Sequence, residues 1–277
     1  MNLQGLLLFD IDGVIRDVAA SYRRAIQETV HHFSGWCPPV AVIDALKSEG
    51  GWNNDWDASL ELLRRHQKGH DQALEPPKRE QLIEVFSRFY FGGDPDGDPS
   101  HWQGFIRNEP LLVQRSFFEE LSLNGLAWGF VSGAEPPSAR FVLEQRLGLK
   151  NPALIAMGDA PDKPDPTGLM QLASQLAGRT LGEGAPPIAY LGDTVADVKT
   201  VINARHQLPN QHFISIAVAP PHLQSNDRLK ARNNYEQQLL LAGADALIPK
   251  TESVQSHLLN WLNNKHHQNW QQQLPIP

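Results

Sequence analysis

Three patterns in the 277-residue chain predict an α/β protein. The expected form is a doubly wound, Rossmann-like parallel sheet core with an inserted α-helical cap domain. Short, wholly apolar runs recur at wide spacing: Leu6–Phe9, Ala127–Val131, Ala153–Met157, Ile188–Leu191 and Phe213–Val218. Most of them end in Asp, Ser or Gly, the pattern of strands covered on both faces. Stretches of helical period separate the later runs, and strand–helix alternation of this length builds right-handed crossovers onto a parallel sheet. About 115 residues lie between the first and second runs, far more than one crossover helix needs.

Taken in order, the first run leads into Asp10, and the long interval that follows reads as helix. Val18, Tyr22, Ile26, Val30 and Phe33 fall on one stripe at steps of four and three. Trp56, Leu60 and Leu63 make a second stripe; Leu82, Ile83, Phe86, Phe89 and Tyr90 make a third. This predicts a helical bundle over residues 16–106, closing in the turn-rich linker Gly92–Pro99. After it, 111–124 reads as a helix stopped by Gly125, and 138–147 as one stopped by Gly148. The core domain is thus expected over 1–15 and 107–262. Residues 263–277, rich in Asn, Gln and His, read as a loosely packed tail.

Composition excludes several classes. Hydrophobic residues make 41% of the chain and charged ones 20%, which rules out wholesale disorder. Cys37 is the only cysteine, so there is no disulfide framework and no cysteine-based metal cluster. A net charge of −7 argues against a general nucleic-acid binder. No apolar run approaches the roughly 18 residues of a membrane span, and Met1–Gly5 carries no basic leader. The expectation is a cytoplasmic protein acting on a small molecule, without nucleic-acid or membrane partners.

In an open parallel sheet, ligands bind beyond the carboxyl ends of the strands. The polar residues there are Asp10, Asp12 and Gly13 after the first run, and Ser132 and Gly133 after the second. Asp162, Lys163 and Asp165 follow the third, and Asp193, Thr194 and Asp197 the fourth. Several carboxylates would then share a cleft with one lysine and one hydroxyl. Like charges so close need compensating cations. Lys163 is one, and all-oxygen donors select Mg2+ for the remainder. A carboxylate nucleophile beside Mg2+ and a lysine suits phosphoryl transfer.

Asp10-Ile11-Asp12-Gly13-Val14, Ser132-Gly133, Lys163-Pro164-Asp165-Pro166 and Gly192-Asp193-Thr194-Val195-Ala196-Asp197 resemble the four ordered motifs of the haloacid dehalogenase superfamily. The insertion resembles the helical cap of its phosphoglycolate-phosphatase-like branch. Segments such as Ser21–Ile26 and Gly50–Trp56 look like an uncharacterised phosphatase group within that branch. The resemblance extends to about Leu262. It implies that Asp10 is the nucleophile that forms an aspartyl-phosphate, and that Asp12 is the acid and then the base. It implies Mg2+ held by Asp10, the carbonyl of Asp12 and Asp193, with Asp197 nearby. Ser132 and Lys163 would hold phosphoryl oxygens, while Gly13 and Gly133 give the phosphate room. The family often has a further acid where this chain has Ala196.

Each residue also has a plain structural reading. Asp or Ser after a strand commonly caps a helix, and Asp17 and Asp165 are read that way, with Asp159 and Asp162 shaping the loop before Lys163. The Asp94–Pro99 run lacks the Gly and Glu of a calcium loop. Trp52, Asn53 and Asn54 read equally as a capped inter-helix turn or as a loop that meets hydroxyl-rich substrates. The function expected is a Mg2+-dependent phosphomonoesterase acting on a sugar or polyol phosphate. A phosphomutase shares all four motifs, and a catalytically silent binding protein could keep the fold. Dehalogenases of the superfamily lack the acid at Asp12.

Overall fold

The computed structural model of the protein describes residues 3–49, 52, 54–70 and 76–254. Asn53, Gly50, Gly51 and the expected tail 263–277 lie outside the described residues. The chain divides into two compact units, one of Met1–Asp17 with Leu111–Pro277, the other of Val18–Pro110. The divisions thus fall at 17/18 and 110/111, against the 15/16 and 106/107 expected from hydrophobic periodicity.

Strand β1 (Gly5–Phe9) is followed by helices α1 (Ala19–Ser34), α2 (Val40–Ser48), α3 (Asp55–His70) and α4 (Arg79–Tyr90). Then come α5 (Arg115–Leu123), β2 (Leu126–Val131) and α6 (Pro136–Arg140), which widens into a π-helical stretch over Phe141–Arg146. β3 (Leu154–Ile155), α7 (Thr167–Ala177), β4 (Ile188–Gly192), α8 (Val195–Gln207), β5 (Phe213–Val218), α9 (Leu229–Ala242) and β6 (Ala246–Ile248) follow in the first unit, among the described residues.

Its six strands form one parallel sheet in the order β3-β2-β1-β4-β5-β6. Strand β6, only three residues long, is too short to show periodicity in the sequence. The alternation of β1 explains why both faces are covered. Leu7 and Phe9 point to the side of Phe117, Phe118 and Phe130. Leu6 and Leu8 point to the side of Leu169, Leu172 and Val201. The Phe9 ring meets Phe117 and Phe118 edge-on at 5.8 Å, the favoured geometry for aromatic pairs. Burying this strand on both sides fixes its register and therefore fixes where Asp10 emerges.

In the second unit, α1 packs on α3 and α4. Tyr22 stacks on Tyr90 with centroids 4.7 Å apart. The buried Glu109 accepts from Ser21 Oγ at 2.5 Å and Tyr90 OH at 3.1 Å. On α3 the fully buried positions are Ala58, Ser59, Leu62 and Leu63; Trp56 and Leu60 of the expected stripe are half-buried. The Gly92–Pro99 run is folded into this unit. Phe91 O accepts from Gly104 N at 2.8 Å, and a Cβ on Gly92, whose φ is +67°, would stand 2.1 Å from Gly104 N. Trp102 is buried there and donates from Nε1 to Asp94 O.

Candidate active site

Chain order runs outward from β1 in both directions: β2 and β3 on one side, β4 to β6 on the other. The switch point of the sheet therefore lies between β1 and β4, where a ligand crevice is expected. Asp10 follows β1 there, and Asp193 follows β4. The Asp10 amide donates to Leu191 O at 2.9 Å, which ties the two strand ends together.

Carboxylate oxygens of Asp10, Asp193 and Asp197 all lie within 4.8 Å of one another, and all three residues are buried. Lys163 joins two of them: its Nζ is 3.1 Å from Asp10 Oδ1 and 2.5 Å from Asp197 Oδ1. It also donates to Tyr190 OH at 3.3 Å. Tyr190 OH lies 2.8 Å from Val131 O and 3.0 Å from Asp197 Oδ1. The other oxygen of Asp197 accepts from the amide of Thr194 at 2.9 Å and its hydroxyl at 2.5 Å, while Thr194 Oγ1 accepts from Asp197 N, a reciprocal cap that opens α8. Both oxygens of Asp197 are thus engaged by protein donors.

The electrostatics follow from this burial. Desolvation pushes Asp10 up to about 6, with Lys163 pulling it back and Asp197 and Asp12 adding to the rise. Desolvation likewise drives Asp193 well above the carboxylate range, reinforced by Asp197 and Asp10. For Asp197, burial also raises the carboxyl, but the charge and hydrogen bond of Lys163, with the two hydrogen bonds from Thr194, hold it below its ordinary value. Desolvation opposes the charge on Lys163, yet Asp10 and Asp197 outweigh it and hold the ammonium well above its usual range.

Asp12 lies two residues further on, in the loop that follows β1. Its Oδ1 accepts from Arg16 Nε at 2.7 Å. Gly13, at φ +76°, has no room for a side chain: a Cβ would stand 2.1 Å from Asp193 Oδ2. Ser132 is buried at the end of β2, where its amide donates to Ile155 O and its Oγ accepts from Ala134 N at 3.2 Å. Gly133, exposed beside it, has open space where a Cβ would be.

The four groups of post-strand residues all belong to the same unit. Trp52 and Asn54 belong to the other. There Asn54 Oδ1 accepts from the amides of Trp56 and Asp57 and so caps α3, and Trp52 Nε1 donates to Glu49. Asp165 accepts from Thr167 N, and Asp159 from Ala156 N. Asp94 and Asp98 accept from the amides of Asp96 and Ser100, which makes turns of that run. Sequence reasoning missed Tyr190 and Arg16. Tyr190 sits inside an apolar strand and looks like core. An Asp and an Arg four apart, as at Asp12 and Arg16, look like an ordinary solvated pair.

The residues present fit a divalent cation. Four carboxylates (Asp10, Asp12, Asp193 and Asp197) are set against two cations, Lys163 and Arg16, and a divalent ion would supply the difference. Asp10 Oδ1 is buried and, apart from its ion pair with Lys163, makes no hydrogen bond. The donors are all oxygens, the set preferred by Mg2+.

A family model for haloacid dehalogenase-like hydrolases matches residues 5–205. The chain belongs to the haloacid dehalogenase-like hydrolases. Solved structures of similar fold include the phosphatase Tt82 from Thermococcus thioreducens, 21% identical with a TM-score of 0.58, covering 85% of this chain and 99% of that one. A β-phosphoglucomutase from Clostridium difficile is 15% identical with a TM-score of 0.56, covering 95% and 98%. At these identities the likeness concerns the haloacid dehalogenase-like fold alone. Among curated proteins, the chain is 31% identical over 194 residues to an imidazoleglycerol-phosphate dehydratase from Phytophthora nicotianae. The match takes in 69% of this chain but spans only 40% of that relative's length.

Proposed function

We propose that this haloacid dehalogenase-like hydrolase is a Mg2+-dependent phosphomonoesterase acting on small phosphorylated metabolites of the sugar- or polyol-phosphate class. The reading is carried by the buried cluster of Asp10, Asp193 and Asp197 at the sheet's switch point, bridged by the Lys163 ammonium. Such a site favours cations and, beside them, a phosphoryl dianion. Mg2+, held by Asp10, Asp193 and the backbone carbonyl of Asp12, would supply charge neutralisation of the phosphoryl oxygens.

The chain's own residues do the rest. Asp10 attacks phosphorus as the bond to the leaving oxygen breaks. The electron pair goes to that oxygen, which takes a proton from Asp12. Water then attacks the aspartyl-phosphate and gives its proton to Asp12. The bond from phosphorus to Asp10 breaks, and inorganic phosphate departs. Ser132 and Lys163 hold the phosphoryl oxygens throughout. Asp197, its oxygens taken by protein donors, serves as counter-charge to Lys163.

The test is phosphate release from a panel of sugar, polyol and aryl phosphates, with and without EDTA. The panel should include imidazole-bearing polyol phosphates, because the 31%-identical relative is named for one. Release that stops in EDTA and returns with Mg2+ is expected. Full activity in chelator would remove the metal from the reading. Interconversion of isomeric phosphate esters with little phosphate released would make the protein a mutase instead.

A further inference from the structure

Arg16 belongs to none of the four motifs, yet its side chain is completely buried. The chain folds it back onto Asp12. Ile15 N donates to Ile11 O at 2.7 Å, and Gly13 N donates to Arg16 O at 2.9 Å, so residues 11–16 form one tight loop. The guanidinium then joins two side chains: Nε donates to Asp12 Oδ1 at 2.7 Å, and Nη2 to Ser138 Oγ at 2.7 Å. Ser138 is itself fully buried at the start of α6, the helix that follows Ser132 and Gly133.

We propose that Arg16 is the positioning residue for the Asp12 carboxylate, anchored in turn by Ser138. The inference rests on the phosphoryl-transfer reading above. Burying a guanidinium is costly unless it is paired, and here Nε and Nη2 each have a side-chain acceptor while Nη1 is buried without a hydrogen bond, so a surface-type explanation does not apply. The exposures are asymmetric: the Arg16 side chain is 0% exposed and that of Asp12 is 25%. The cation therefore approaches Asp12 from the protein interior and leaves the carboxylate's outer side for proton exchange. Asp12 also feels the negative charges of Asp10 and Asp193, which repel it. Arg16 is the attraction that keeps it in place against them. Arginine suits this task, because the guanidinium stays charged and cannot compete for the proton that Asp12 passes to the leaving oxygen. Its planar fork also reaches two partners at fixed angles, which a lysine cannot do.

The experiment compares p-nitrophenyl phosphate with phenyl phosphate, which differ little in shape but greatly in how much the leaving oxygen needs a proton. kcat/KM covers only the first half-reaction, and Asp12→Asn gives the signature of a lost acid. Arg16→Lys and Arg16→Met should lower kcat/KM on phenyl phosphate at least ~10-fold more than on p-nitrophenyl phosphate, within the 10²–10⁴ range of general acid catalysis. On p-nitrophenyl phosphate, kcat should fall more than kcat/KM, because Asp12 is also needed as base in the second half-reaction. Should the Arg16 variants fail to fold, Ser138→Ala should show the same preference at a few-fold. Equal losses on both esters, or no loss on either, would make Arg16 a structural residue and overturn the proposal. If Asp12→Asn itself shows no leaving-group preference, the acid role of Asp12 falls and the role of Arg16 falls with it. If the wild-type protein hydrolyses neither ester, the phosphoryl-transfer reading has failed first.

Discussion

Lys163 holds two buried carboxylates on one ammonium, and each partner's burial is tolerable only because of the other. Removing one member of such a pair typically costs about 3–5 kcal/mol. Asp10 is the less compensated acid, and this has a pH consequence. In the metal-free protein, burial raises its carboxyl from 3.8 to about 6. The folded state then binds the proton more tightly than the unfolded chain, so stability falls as pH rises from about 4 to about 6, and levels off above. Asp193 acts in the same direction. Thermal unfolding in EDTA should therefore show a higher Tm at pH 5 than at pH 7.5. Asp10→Asn should flatten that difference and Mg2+ should reduce it. Identical pH dependence in the wild type and Asp10→Asn would show that Asp10 is not the strained group. The chemistry-bearing residues were readable because each follows an apolar run that only a buried strand can explain. Tyr190 and Arg16 were not, because their roles depend on contacts across 59 and 122 residues of chain, to Val131 and Ser138, and no local period encodes such contacts.

At the scale of elements, strands buried on both faces left the clearest trace. β1, β2, β4 and β5 lie within a residue of their apolar runs. β3 pairs over only two residues of the five-residue run 153–157, and β6 over three residues, lengths at which pairing to a neighbour decides and propensity does not. The third helix shows another limit: its buried face includes Ala58 and Ser59, which carry little hydrophobic signal. Its N-terminus is held by Asn54, whose side chain accepts from two amides. Loss of such a cap typically costs ~1 kcal/mol. Asn54→Ala should thus lower the stability of the helical unit by about that amount in a denaturant titration. It should change kcat/KM by the same factor for every phosphate ester. A change confined to some leaving groups would show that Asn54 also selects substrate.

For the whole molecule, the net charge is −7, and the buried group Asp10, Asp193 and Asp197 adds acid where the proposed reaction needs cations, so that reaction would rely on Lys163, Arg16 and a divalent ion. Among the described residues no helix is long and apolar enough to cross a membrane. The helical insertion was visible in the sequence as an interval too long for one crossover. Its second limit lies at 110/111 and not 106/107 because Glu109, a charged residue that no apolar stripe marks, is buried in the helical unit against Ser21 and Tyr90. The central claim is that Asp10 accepts the phosphoryl group. Its most direct test is the intact and peptide mass of Asp12→Asn after reaction with p-nitrophenyl phosphate and Mg2+. In that variant the first half-reaction needs no acid, while the second lacks its base. Accumulation of one phosphoryl group on Asp10, absent from Asp10→Asn, is the expected result. An unmodified Asp10 during continued release of nitrophenol, or a phosphoryl group on any other residue, would contradict it.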